Sequence, residues 1–508
     1  VTPEKIRPKS RLGAHEGRLS GDYADDEVTY FYGPLVERMR PLFGPVMQYN
    51  KAHVVMLAEQ GIVERERATP LLKALLDLDR EGIDDVELDP TLQGIYPNIE
   101  ALIIDRTGSN VGGMLYLGRT RGDAQLIPVR MAHRDGLLDV LHEVLEMWRA
   151  TLDLAGRHLE TIMPCYTHLQ HAQPMTFGFY LLWFAEALQS DAERLMDAFR
   201  RSNRSPAEIG VGMMTGFPID RHRVAALLGF DGLIENGLFA HRGLDREIEN
   251  LNLLSLVALD MYRLCEDFLV WCASDVRFME LADSYSATSF MMAQKKNPAA
   301  LQHIENAAVV THGAALRMHD IAMRNTSEVI LKGSEAILAF QDSLRSVLGA
   351  ARLLKGLIPS VVVHPERMRA SMASTFLSGT ELADTLVREA GLSFREAHRV
   401  VGIFVRLAVE RSLTMDQTDT DMLDQAAQEA LGKPLHVPAE TLAQALDPMT
   451  GVEARTTFGG VAPSAAREAI ERQREKLAEG ESWLGQQRQA LVQAQEQLER
   501  ACAALAPA

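Results

Sequence analysis

A hydroxyl, two ammonium groups and an amide fall within ten residues between Ser289 and Pro298, in the order Ser-Phe-Met-Met-Ala-Gln-Lys-Lys-Asn-Pro. Asn297 is a good helix N-cap and Pro298 suits a first helical position. The stretch therefore reads as a polar loop that delivers side chains to the mouth of a helix beginning near Ala299. A helix N-terminus flanked by Lys295 and Lys296 suits an anionic ligand, because the dipole and the ammonium groups favour the same sign of charge. The plainer alternative is a capped, basic surface turn.

The elements that must hold this loop are helical. A first helical pattern covers 32–59, and Gly61 and Gly82 read as stops for the short helices that follow. Long patterns then dominate: 125–161, 176–203, 246–274, 299–323 and 334–355. Each is well above the mean helix length of about 11–12 residues. Trp183, Phe184, Ala187, Leu188 and Asp191 mark a mixed face, whereas Leu253, Leu256, Val257, Leu264, Phe268 and Trp271 line an almost wholly apolar helix. Such a helix needs neighbours on most sides. Strand signals are scarce. The expected fold is all-α, with a central bundle of five long helices flanked by smaller N- and C-terminal helical domains. The expected divisions are 1–123, 124–355, 356–463 and a helical tail over 464–508, interrupted at Gly480 and exposed or packed in an oligomer.

Bulk properties narrow the function. The chain has 52 basic against 69 acidic residues, a net charge of −17, which speaks against nucleic acid as a partner. A small polyanion remains compatible if positive charge gathers locally. Cys165, Cys265, Cys272 and Cys502 lack paired spacing, no signal-like apolar run opens the sequence, and a reducing cytoplasm is expected. The most apolar run, 251–273, contains Asp260, Arg263, Glu266 and Asp267, so it reads as a core helix and not a membrane span. No membrane partner is expected.

Three separated stretches resemble the signature regions of the fumarase/aspartase superfamily, and most closely its argininosuccinate lyase branch. They are Gly118-Arg119-Thr120-Arg121-Gly122-Asp123, then Tyr166-Thr167-His168-Leu169-Gln170-His171-Ala172-Gln173-Pro174, then the Ser289 loop. Weaker similarities lie at Gly216–Arg221, Leu228–Phe230, Gly379–Asp384, Phe394–His398, Leu446–Pro448 and Gly459–Gly460. Their order and spacing make the resemblance specific, and it spans most of the chain.

The resemblance implies β-elimination that releases fumarate and an amine from a dicarboxylate, run reversibly, in a homotetramer whose sites are shared between subunits. Such chemistry removes a weakly acidic proton next to a carboxylate, so the doubly charged intermediate must be held by preorganised donors and cations. The resemblance makes Ser289 the base, with Lys295 stabilising the intermediate and His168 as proton donor to the leaving amine or as a substrate-orienting group. A serine acts as a base only as an alkoxide in a water-poor site. Thr120, Arg121, Thr167 and Asn297 fall at carboxylate-binding positions, with Arg119 and Met292 as further candidate contacts. No cofactor and no metal is implied. Read alone, Thr120 or Thr167 fits a helix N-cap, His168 a satisfied interior histidine, Arg119 a partner of Asp123, Met292 a packing residue and Lys296 a solvated neighbour. His171, His15 and His398 read as structural.

The departures concern the amine half. Gly122 stands where the branch carries a substrate-contacting asparagine, Tyr116-Leu117 replaces His-Thr, and Asn98-Ile99-Glu100 replaces Asp-Ile-His. Thr288 replaces a loop glycine, Gln302 replaces a glutamate that pairs with the histidine, and 324–328 does not look like the segment that grips an arginine moiety. A neutral amide at 302 would not raise the histidine's pKa as a carboxylate does. The expected substrate is an N-substituted aspartate other than argininosuccinate, an amino-polycarboxylate such as ethylenediamine disuccinate. A true argininosuccinate lyase and a catalytically silent structural homologue are the alternatives.

Overall fold

The computed structural model describes residues 6–10, 12, 21–323, 330–373 and 375–507, without the side chains of 330–337. Helix accounts for 71% of the structure and strand for 5%. The expected 32–59 helix is broken: a short helix at Gly33–Arg38 and a 3-10 turn at Arg40–Leu42 precede α1 (Phe43–Glu59). Pro41 within that turn has no N–H to continue a helical ladder. Helices α2 (Arg65–Glu81) and α3 (Ile95–Thr107) follow, and Gly82 caps α2 at φ 81°.

Helix α4 (Arg121–Arg157) starts four residues earlier than Gln125 because of a capping box, in which the Thr120 hydroxyl accepts from the Gly122 N–H at 3.2 Å and the Asp123 carboxylate accepts from the Thr120 N–H at 2.9 Å. It ends before a feature the helical reading omits, an antiparallel hairpin of β1 (Ile162–Thr167) and β2 (Gln170–Thr176). Next come α5 (Phe177–Ser202), α6 (Asp245–Cys272), and the two-residue strands β3 (Met279–Glu280), β4 (Ala287–Thr288) and β5 (Lys296–Asn297). Then follow α7 (Ala299–Met323), α8 (Ile330–Leu357) and β6 (Val362–Val363), which pairs with β3. The C-terminal region contains α9 (Gly379–Ala390), α10 (Phe394–Glu410), α11 (Thr420–Leu431) and α12 (Pro463–Leu505).

Three apolar cores organise these elements. The largest joins α4 to α8 and part of α12 through Trp148, Phe184, Phe199, Phe268 and Phe340. The second joins α1, α2 and α3 to the first turns of α4 and the segment around Val224–Phe230. The third is built by α9, α10 and α11 around Leu386, Phe404 and Leu423. Helix α4 therefore runs through two cores, carrying Ile127 in one and Trp148 in the other.

The tail expectation is corrected. Residues 463–505 form one unbroken helix of 43 residues whose Ile470, Leu477 and Leu484 sit in the bundle core and whose Leu498 and Cys502 sit in the N-terminal core. Gly480 does not stop it. Its missing side chain permits close approach to α4, where a Cβ would stand 2.9 Å from the Leu145 side chain. Helix α6 departs from full burial too: Leu256, Leu259 and Val270 are exposed, as are Val309, Val310 and Leu316 on α7. Among the described residues, no helix is long and apolar enough to cross a membrane.

Candidate active site

The first signature stretch sits at the N-terminus of α4. Gly118 turns the chain at φ 76°, and Thr120 caps the helix, so the capping alternative for Thr120 is realised. The cap takes up the Gly122 N–H, so an anion approaching this end of α4 meets the positive end of the helix dipole and the side chains of the turn. Arg121 is held in place by three bonds: Nε to the Tyr96 hydroxyl, Nη1 to Gln93 Oε1 at 2.7 Å and Nη2 to the Gln93 carbonyl at 2.8 Å. Burial pushes the Tyr96 hydroxyl up to about 12, against the pull of Arg121, so it stays a donor-bearing phenol.

Arg119 points the other way. It is 7% exposed, with its guanidinium carbon 5.0 Å from the Tyr49 ring centroid and 5.7 Å from that of Tyr116. It does not pair with Asp123, whose oxygens accept from the Thr120 N–H and from the Ile209 N–H at 2.7 Å. Burial and then Glu208 push the Asp123 carboxyl up to about 7. Beneath the turn, Glu208 Oε1 accepts from the Tyr49 hydroxyl at 3.2 Å and lies 3.0 Å from His53 Nδ1, while His53 Nε2 lies 3.1 Å from the Leu117 carbonyl. Burial opposes charge on Glu208, but His53, Arg119 and Tyr49 outweigh it and hold the carboxyl below its usual range. Burial lowers the His53 pKa against the pull of Glu208, so one of its two acceptor contacts is left without a proton when the ring is neutral. These supporting residues have no sequence signature, since 155 residues separate His53 from Glu208.

Gly122, the most informative departure, has a packing reason. A Cβ there would lie 3.2 Å from His241 Cε1 and 3.3 Å from its Nδ1. The imidazole of His241, on the short helix Gly237–Arg242, thus stands in tight contact with any Cβ placed at position 122. Asn98 instead holds its own neighbourhood together, since its side-chain amide bonds the Asp89 N–H, the Asp89 carbonyl and the Gly94 carbonyl at 2.7–3.0 Å.

Thr167 and His168 are on the hairpin, not at a helix end. His168 and Leu169 form its two-residue turn at φ 55° and 58°, both in the left-handed region that such turns require. Thr167, His168 and Leu169 are exposed, so neither the capping alternative for Thr167 nor the interior alternative for His168 applies. His171 is structural, with Nδ1 2.9 Å from Thr375 Oγ1 and Nε2 3.2 Å from the Tyr166 hydroxyl.

Ser289 opens a seven-residue loop closed by the β4–β5 ladder. Its Oγ accepts from the N–H groups of Met291 at 3.3 Å and Met292 at 3.0 Å. Two N–H donors aimed at one hydroxyl oxygen stabilise an alkoxide over the alcohol. Met292 is 41% exposed, which excludes it as a packing residue within the protomer, and Phe290 and Met291 are exposed beside it. Lys295 is exposed without an acidic partner among the described residues. Lys296 is tied to Glu280 at 2.5 Å and Asp283 at 2.8 Å, which raise its pKa. Asn297 pairs with Ala287 in the ladder, so its expected capping role is corrected. Gln302 is exposed in the first turn of α7. The departing segment 324–328 lies outside the described residues.

One protomer does not bring the three stretches together. Thr120 precedes α4 and Thr167 follows it. A helix of 37 residues at about 1.5 Å per residue is roughly 55 Å long. The hairpin and the Ser289 loop share the other end of the bundle: a cavity of about 680 Å³ joins Tyr166 and Leu169 to Trp271 at the end of α6, and one of about 940 Å³ joins Cys272 to Lys295 and Asn297. Among the described residues, no cluster of His, Cys, Asp and Glu has the arrangement of a metal site.

Known proteins resemble this chain over most of its length. Residues 44–313 match the family described as lyase, and residues 376–453 match the argininosuccinate lyase C-terminal family. Argininosuccinate lyase of Methanosarcina acetivorans is 34% identical over 464 residues, covering 91% of this chain and 92% of the relative. That of Methanocaldococcus jannaschii is 33% identical over 468 residues, covering 91% and 93%. Among solved structures, EDDS lyase in complex with formate superposes with a TM-score of 0.85 at 29% identity, covering 97% of each chain. Class II fumarase of Schistosoma mansoni, 13% identical, shares the fold with a TM-score of 0.66 over 81% of this chain and 90% of that one.

Proposed function

This chain belongs to the fumarase/aspartase superfamily, in its argininosuccinate lyase branch, as a carbon–nitrogen lyase that releases fumarate, and we propose that its substrate is an N-substituted aspartate other than argininosuccinate. The observation that carries the proposal is the packing of His241 against Gly122. The groups suited to the fumarate half are present: the capped N-terminus of α4, Arg121, Thr167, Lys295 and Asn297. The position at which the branch's asparagine contacts substrate has no side chain, and an imidazole fills the space behind it. An amino-polycarboxylate fits this division.

In this reading Ser289, activated by the Met291 and Met292 N–H groups, removes the proton from the carbon beside one carboxylate. Lys295, Asn297 and the N-terminus of α4 with Thr120 and Arg121 hold the carboxylate charge as it grows. Thr167 orients a carboxylate and His168 protonates the leaving amine. Arg119, buried under Tyr49, positions the turn from below. Met292 borders the bound substrate from the loop.

The reaction needs more than one copy. Thr120 and His168 are separated by roughly the full 55 Å of α4, and α6 and α7 expose apolar residues that a second bundle would cover. We assign a homotetramer with each site drawn from several subunits. The test is incubation of the enzyme with fumarate and a panel of amines, with Ser289→Ala in parallel. Fumarate loss in the wild type that is abolished in the variant supports the assignment. Equal loss in both removes Ser289 as the base. A protein that neither consumes fumarate nor is stabilised against heat by it is a silent homologue.

A further inference from the structure

The cavity beside the Ser289 loop is larger and more cationic than fumarate needs. Its volume of about 940 Å³ lies at the upper end of the ~300–1,000 Å³ range of small-molecule sites. Lys295 and Asn297 line one wall, and Arg277, His364 and Arg367 line another. We propose that Arg277, His364 and Arg367 form a distal subsite that binds a carboxylate of the substrate's amine half. This rests on the reading of the chain as a lyase of N-substituted aspartates, and it assigns that amine an acidic substituent.

The backbone brings these residues together from distant parts of the chain. Arg277 follows α6, whereas His364 and Arg367 lie some ninety positions later. The β3–β6 ladder pins the two segments, with Met279 opposite Val363, and the His364 N–H donates to the Phe278 carbonyl at 2.8 Å. Arg277 itself adopts φ 54°, a left-handed conformation that non-glycine residues avoid and that recurs at ligand sites. Two further bonds hold that turn, Arg277 N–H to the Ala273 carbonyl and Phe278 N–H to the Trp271 carbonyl, both at 2.9 Å.

The charge is uncompensated where it matters. Glu280, the one acidic residue among the described residues that line the cavity, is engaged by Lys296. Arg277, Arg367 and Lys295 form no ion pair with any described residue, although the whole chain carries −17. Guanidinium groups offer paired N–H donors that match a carboxylate's two oxygens. A ligand whose fumarate half engages Lys295 and Asn297 can extend across the same cavity toward Arg277 and Arg367. The second source of this chemistry, a free polycarboxylate bound independently of the reaction, is separated by the test.

The full-length enzyme, Arg367→Gln and Arg277→Gln/Arg367→Gln are compared in two assays. The first measures kcat/KM for addition of fumarate to amines bearing a carboxylate (glycine, aspartate) and to amines without one (methylamine, ethylenediamine). The double variant is expected to lose about tenfold or more with the first group and less than about threefold with the second, since only the first presents the charge the arginines pair. The second assay measures citrate binding by calorimetry, with no turnover required, and expects a similar fall in affinity. Equal losses with both amine groups, or unchanged citrate affinity, overturn the subsite. No fumarate consumed with any amine, beside citrate affinity that falls in the variant, overturns the reading as a lyase of N-substituted aspartates and identifies the site as one for free polycarboxylates.

Discussion

Removing the Glu208 carboxylate should loosen the turn that carries Thr120 and Arg121. Glu208 is fully buried, accepts from the Tyr49 hydroxyl at 3.2 Å and faces His53 Nδ1 at 3.0 Å, while His53 Nε2 faces the carbonyl of Leu117. Glu208→Ala strands the buried Arg119 guanidinium, a phenol and an imidazole, and breaking a buried charged network from one side costs about 3–5 kcal/mol. Glu208→Gln keeps an oxygen for Tyr49 and loses only the charge, a smaller cost of about 1–3 kcal/mol. With an unfolding entropy of about 2.1 cal/mol/K per residue, a chain of 508 residues loses roughly 1 °C of Tm per kcal/mol. Differential scanning at fixed protein concentration should therefore show a drop of about 3–5 °C for the alanine variant and about 1–3 °C for the glutamine variant. The KM for fumarate should rise in the same order, because the turn at Gly118–Arg121 rests on this network. Equal drops for both variants, or an alanine variant that melts with the wild type and keeps its KM, would refute the idea that buried charge holds this turn.

Other consequences are separately measurable. Burial, and then Asp260, push the Asp191 carboxyl up to about 7, against about 3.9 for an unfolded aspartate, so the native state holds its proton longer and this group loses stability as pH rises from about 4 to about 7. Asp191→Asn should thus raise Tm more at pH 8 than at pH 5, and a gain independent of pH would contradict the shift. Gly178→Ala should be poorly folded or strongly destabilised, because a Cβ would stand 2.5 Å from the Ala155 carbonyl and 2.9 Å from that of His158. Thermal melting would show this, and a wild-type Tm would count against the close approach of α5 to the end of α4. Thr120→Ala and Ser289→Ala should each be inactive in the fumarate assay, and partial unfolding and reassembly of the mixture should restore activity. Mixed assemblies that stay inactive would argue that both residues of a site come from one copy.

The helices were legible because their signals are local and repeated. The apolar stripe of α6 and the start of α7 just past Pro298 follow from residue order alone. The hairpin was not legible. Its turn, His168-Leu169, contains no glycine or asparagine, and Pro164 and Pro174, which stand opposite each other in register, read as loop residues. Gly480 misled for a related reason: a glycine that ends a helix and one that admits a neighbouring helix look alike until Leu145 is seen against it. Within the candidate site, the residues assigned chemistry come from their motifs, whereas the groups that support them do not. Tyr96 and Gln93 on Arg121, Glu208 and His53 beneath Arg119, and His241 behind Gly122 all come from distant sequence, where only the packed chain makes them neighbours. The separation of Thr120 from His168 by the length of α4 likewise depends on that helix being continuous.

The most direct test of the account compares substrates. Fumarate release should be followed for ethylenediamine disuccinate and for argininosuccinate with the same enzyme, and kcat/KM compared. The Gly122–His241 packing predicts the higher value for the amino-polycarboxylate. A higher value for argininosuccinate would contradict the central claim and make the chain a true argininosuccinate lyase with a differently built amine pocket.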